Sequence, residues 1–257
     1  MLMLVTAACW DGWRWLFHRI EMAPEEGLAL VLVVVLFVVT HLRQPAPWGA
    51  HKPPLVFLTA VLAVYAASQS FAPPIVRSTL AVMAALACLH SLLFANQPPV
   101  TFWALVALAM PVLPSLQFML GYPMRVACAA LTVMFLRAQG HAVTREASNL
   151  IWRGDTIQFD APCSGVSMLR AGLLLTLMGC AMMRLSIWKT LAAMAICTVL
   201  AIVCNALRAS SLFYFEAGLL AQPASWWHEG TGIAAFALLA GATLWMLAKL
   251  NPPRASA

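Results

Sequence analysis

Charge is what this sequence has least of. Only 9% of its 257 residues are Asp, Glu, Lys or Arg, against 63% hydrophobic, and mean hydropathy is +0.86. A soluble globular domain carries about 25% charged residues. So few cannot cover a water-facing surface, and lipid must be the solvent for most of the chain. Runs of basic residues are also missing. The formal net charge of +6 is spread in ones and twos, which excludes a nucleic-acid footprint. The seven cysteines form no C-x-x-C pair and no Cys/His cluster with zinc spacing, so no metal or other cofactor is expected. No internal repeat is visible.

What is present is a series of long apolar stretches. About 20 apolar residues cross a bilayer core, and eight stretches approach that, near 26–42, 54–72, 78–95, 99–120, 123–138, 163–183, 187–210 and 230–250. The seventh can continue to Phe215. The expectation is an all-α, polytopic membrane helix bundle of about eight transmembrane helices, forming one integral membrane domain over 1–257. The opening MLMLVTAACWDGWRWLF has no basic region before its apolar run and is rich in Trp. Residues 1–25 therefore read as an interfacial segment and not a signal peptide.

Orientation follows from basic residues at helix ends. With a cytoplasmic N-terminus, Arg14, Arg19, Arg77, Arg125, Arg184, Lys189, Lys249 and Arg254 fall inside, eight of the fifteen Lys and Arg. The only long polar stretch, Gln139–Pro162, then lies outside, together with the end of the seventh helix and the loop before the eighth. Within that stretch Asn149–Trp152 and Thr156–Phe159 flank an Arg-Gly-Asp turn, which reads as a small extracytoplasmic hairpin.

Three residues on that outer face carry chemistry. Cys163, after Pro162 and before Ser164-Gly165-Val166, opens an apolar helix. Unpaired N–H groups at a helix start favour a thiolate and can hold an oxyanion. The competing reading is an ordinary buried cysteine, as for Cys9, Cys88, Cys128, Cys180, Cys197 and Cys204, which lie in or beside apolar runs. Arg208 shares a helix face with Asn205, three residues earlier. An arginine within a span either serves a site or snorkels to the interface. His228 follows Trp226 and Trp227 at the start of the last helix and can exchange a proton near neutral pH. His141 is its rival on the same face. Arg170, seven residues past Cys163, supports the site from deeper in its helix and could pair with Glu216 or Glu229.

Ala161-Pro162-Cys163-Ser164-Gly165-Val166, then Asn205-Ala206-Leu207-Arg208, then His228 with Gly232 four residues on, resembles the exosortase/archaeosortase family over roughly 100–250. Pro162 departs from the small residue usual before the cysteine. The resemblance implies a multi-pass enzyme of the cell inner membrane with its active site on the periplasmic side. Its implied activity is that of a cysteine protease or transpeptidase, with Cys163, Arg208 and His228 catalytic and Ser164, Gly165, Asn205 and Arg170 supporting. The implied partners are exported proteins ending in a short motif of Pro-Glu-Pro type, a transmembrane helix and a basic tail, besides the lipid bilayer. The alternatives are an anion transporter built on Arg170 and Arg208, or a non-catalytic scaffold for envelope polysaccharide assembly.

Overall fold

A computed structural model describes residues 2–43, 55–93, 100–157, 164–220 and 227–250. The chain forms two compact units, Met1–Val112 and Leu113–Ala257. The first contains α1 (Leu2–Ala8), α2 (Trp10–Met22), α3 (Pro24–Arg43), α4 (Leu55–Ser68), α5 (Pro74–Leu93) and α6 (Val100–Ala109). In α2 the amphipathic pattern buries Gly12 and Leu16, while Trp10 and Phe17 stay exposed. The α2–α3 junction is fixed by Arg19, whose Nη2 donates to Oε1 of the buried Glu26 at 2.7 Å.

The second unit contains α7 (Leu113–Ala138), a three-stranded antiparallel sheet, α8 (Val166–Met182), α9 (Ile187–Glu216) and α10 (Trp227–Leu250). Among the described residues, three stretches are long and apolar enough to cross a membrane: Leu113–Ala138, Ile187–Glu216 and Glu229–Leu250. Leu58–Ser68, Pro74–His90, Val100–Ala109 and Val166–Met182 are shorter apolar helices. The chain is an all-α, multi-pass membrane protein in its main architecture.

One predicted boundary moves. The sequence reading ends a helix at residue 120 and starts the next at 123, but the break lies at Met110–Val112. Pro111 and Pro114 account for it. Pro111 has no N–H to continue the preceding ladder, and Pro114 sits in the first turn of α7, where no donor is missed. Pro123 instead lies inside α7. It costs one backbone bond, to the carbonyl four residues back, which a membrane helix absorbs by local adjustment. The fourth predicted segment thus holds a 10-residue helix, and α7 reaches 26 residues.

The core of the second unit is a layer of Met124, Val166, Leu169, Cys197, Ala201, Cys204 and Leu239. Helix α8 packs against α7, α9 and α10. Gly172 permits the close approach, since a Cβ there would stand 3.0 Å from both Cys197 Sγ and Leu239 Cδ2.

A second layer joins the end of α7 to the sheet: Ala129, Val133, Leu136, Val143, Leu150, Trp152 and Phe213. The strands are β1 (Thr144–Glu146), β2 (Asn149–Trp152) and β3 (Asp155–Ile157). Strand β2 alternates, turning Leu150 and Trp152 inward. It meets β3 through the two-residue turn Arg153-Gly154, with φ of 55° and 91°, the left-handed pair that a primed hairpin turn requires. The expected hairpin is present with an added strand; residues 158 and 159 of its predicted second arm lie outside the described residues.

Candidate active site

The start of α8 is held by backbone conformation and by a neighbour on α9. Gly165 adopts φ 77°, ψ 0°, a left-handed geometry natural to glycine. A Cβ at this position would stand 2.8 Å from both Cγ and Nδ2 of Asn205. Ser164 is 2% exposed, and its Oγ accepts the Val166 N–H at 3.4 Å, supplying one of the first-turn N–H groups with a partner. Cys163 and Pro162 lie outside the described residues.

Asn205 is buried in α9 and donates from Nδ2 to Cys128 Sγ of α7 at 3.2 Å. One polar side chain therefore ties α7 and α9 to the mouth of α8. The i, i+3 spacing places Arg208 one turn further along the same face. Its Nε is buried without a hydrogen-bond partner among the described residues. Its guanidinium lies along α10 at Gly232, where a Cβ would stand 3.6 Å from Nε, 3.7 Å from Cζ and 3.8 Å from Nη2. His228 sits in the first turn of α10. The four-residue spacing to Gly232 puts its backbone position on that same face.

The fold thus brings Gly165, with Ser164 before it, against Asn205, and lays Arg208, three residues on along α9, against Gly232, one turn from His228. Arg170 is 7% exposed within α8. Glu216 and Glu229, its suggested partners, are both exposed.

His141 has other business. Tyr214 donates its hydroxyl to Gln139 Oε1 at 2.6 Å, and His141 Nε2 is 3.2 Å from the same hydroxyl. With the Tyr214 proton on Gln139, the hydroxyl oxygen can accept a second bond from His141 in its Nε2-protonated tautomer. Its ring also packs on Phe213, with centroids 5.8 Å apart.

Tyr214 and Gln139 are functional candidates that the sequence reading missed. They line an open groove of about 520 Å³ together with Leu207, Ser210 and Ser211. The 207, 210, 211, 214 spacing along α9 was the available signal, but it reads equally as a packed helix face. Ser211 donates to the Arg208 carbonyl at 2.7 Å, so the groove borders the Arg208 turn directly.

Chemically, a guanidinium whose buried Nε has no hydrogen-bond partner among the described residues is a receptor for an anion or a developing oxyanion. Among the described residues no three His, Cys, Asp or Glu side chains form a metal-holding group.

Fold and site together define a multi-pass helical membrane protein with a polar site where α8, α9 and α10 meet. The family described as transmembrane exosortase matches residues 23–245, well beyond the 100–250 that carried the motif resemblance. The chain belongs to the transmembrane exosortase family. No curated protein and no solved structure matches it.

Proposed function

We propose that this exosortase-family protein is a cysteine transpeptidase that cuts C-terminal sorting signals from exported proteins at the outer face of the inner membrane. The observation that carries the reading is the placement of Arg208. It lies against Gly232, one turn from His228, and beside the Asn205–Gly165 contact that fixes the chain leaving Cys163. An arginine that merely snorkelled to the interface would carry its Nε into water, whereas this Nε is buried.

In this mechanism the Cys163 thiolate attacks the carbonyl carbon of a peptide bond just outside the substrate's membrane helix. A C–S bond forms and the carbonyl oxygen becomes an oxyanion, which the Arg208 guanidinium stabilises. On collapse the C–N bond breaks, and protonated His228 delivers its proton to the departing amine. The resulting thioester is resolved by an acceptor amine, or by water. In this topology the Arg184–Lys189 turn is cytoplasmic and the Arg208 end of α9 lies outside. The recognised partner is an exported protein with a terminal motif, a transmembrane helix and a basic tail.

Co-expression with a reporter bearing such a terminus tests this directly. Cys163→Ala and Cys163→Ser should abolish processing. Arg208→Lys should reduce it about 100-fold, the scale of losing an oxyanion donor. Processing that survives Cys163→Ala would sink the nucleophile assignment and favour the scaffold or anion-transporter reading. A membrane-impermeant thiol reagent should reach Cys163 from the periplasm, and protection there would overturn the orientation.

A further inference from the structure

The groove bordering Arg208 has a direction, a length and a polar anchor. We infer that it seats the stretch of substrate immediately before the scissile bond, as an extended strand of about three residues anchored on the Gln139 side-chain amide. This inference rests on the transpeptidase reading of the Arg208 site.

Direction comes first. Leu207, Ser211, Tyr214 and Phe215 line the groove, which therefore runs from the Arg208 turn toward the C-terminal end of α9. The proposed substrate leaves the scissile carbonyl two ways. Its C-terminal side enters the bilayer as a helix, and its N-terminal side leads outward to the exported domain. Only the outward arm runs the same way as the groove.

Length follows from helix geometry. Leu207 and Tyr214 are seven residues apart on α9, about 10 Å of axial rise. An extended chain advances about 3.3 Å per residue, so about three residues fit. Phe215 and Trp227 form part of the groove wall, with ring centroids 5.3 Å apart in an edge-to-face arrangement. Trp227 immediately precedes His228, so the groove adjoins two of the three proposed catalytic positions.

The anchor is set by a proton chain. Tyr214 O–H donates to Gln139 Oε1, and the same hydroxyl lies 3.2 Å from His141 Nε2. In this arrangement the Gln139 amide turns its oxygen to Tyr214. Its NH2 group, two donors, is left for a ligand. The Ser210 and Ser211 hydroxyls are spent on the carbonyls of Ala206 and Arg208. An extended strand presents unpaired carbonyl oxygens along its edge, which an amide NH2 can receive. Gln139 is then a substrate-contacting residue, with Tyr214 and His141 as positioning residues acting through it.

The test uses the full-length enzyme in detergent with a purified reporter. Gln139→Ala and Tyr214→Phe should each raise apparent KM about three- to tenfold, the worth of one hydrogen bond, with kcat within about twofold. The double variant should be no worse than the weaker single, because both act through one contact. Melting temperatures near wild type separate this from misfolding. A photo-crosslinker replacing Phe215, in a Cys163→Ala background, should capture residues on the N-terminal side of the cut. Unchanged KM in both variants, or crosslinks only to the substrate's membrane helix, would overturn the inference. The crosslink map needs no turnover. It decides the groove even if Cys163→Ala still processes the reporter, an outcome that would count against the nucleophile instead.

Discussion

Replacing Gly165 by alanine adds one methyl group and incurs two separable costs. The first is backbone: φ is 77°, and a left-handed conformation costs an L-residue about 1–2 kcal/mol. The second is steric, because the new Cβ would stand 2.8 Å from Asn205 Cγ and Nδ2, closer than van der Waals contact allows. Asn205 is not a flexible tip that can swing away. It is 2% exposed and bonded to Cys128 Sγ, and leaving a buried amide unsatisfied costs about 1–3 kcal/mol. Together these give about 2–5 kcal/mol.

Gly154 supplies the control, with φ of 91° and no atom within 4 Å of an added Cβ. Gly154→Ala bears the backbone term alone, about 1–2 kcal/mol. Thermal unfolding in detergent should therefore rank Gly165→Ala well below Gly154→Ala. Reporter processing should fall only for the former, whose displaced chain leads into Cys163. Adding Asn205→Ala removes the 2.8 Å contacts and leaves one at 3.2 Å, to the Asn205 Cβ. The double variant should thus lose less than the two singles summed, by about 1 kcal/mol or more. Strict additivity, or equal losses for Gly154→Ala and Gly165→Ala, would refute the steric account.

Gly232→Ala brings a methyl to ordinary contact distance, 3.6–3.8 Å from the Arg208 guanidinium. It should keep processing within about twofold and raise stability by up to about 1 kcal/mol through helix propensity. Gly232→Leu should displace the guanidinium and cut processing about 100-fold while the protein still folds, as judged by its melting temperature. In the first unit the Arg19–Glu26 pair is lopsided, with side chains 32% and 4% exposed. Arg19→Ala strands a buried carboxylate and should cost about 3 kcal/mol, whereas Glu26→Ala leaves an arginine that can reach water and should cost about 1 kcal/mol. Melting temperatures of the two variants check the order.

Local rules made much of this legible. The Arg153-Gly154-Asp155 turn announced a hairpin because it stands between two short strand-like stretches, and β2 duly alternates. The Asn205/Arg208 spacing placed two polar groups on one face of α9, whose continuation to Glu216 closely matches its apolar run. Proline was harder, since its effect depends on neighbours. Pro111 ends a helix and Pro123 does not, although both sit in apolar sequence. The Tyr214–Gln139–His141 chain was illegible for a different reason. It joins positions more than 70 residues apart, and no periodicity encodes a contact between helix ends. The bed that Gly232 makes for Arg208 is tertiary in the same way.

The helices of the second unit differ in length, and that difference shapes the water around them. Helix α8 has 17 residues, about 26 Å, while α7 with 26 and α9 with 30 extend about 39 and 45 Å. The hydrocarbon core is about 30 Å thick. A helix shorter than that thickness cannot reach both faces, so at one end its taller neighbours stand past it and can wall a vestibule off from lipid. Water and headgroups can descend into such a vestibule without being dissolved in hydrocarbon. Charged and hydrogen-bonding chemistry can then take place below the plane of the membrane surface. A polypeptide held there by its own membrane anchor could be cut close to the point where it emerges from the lipid.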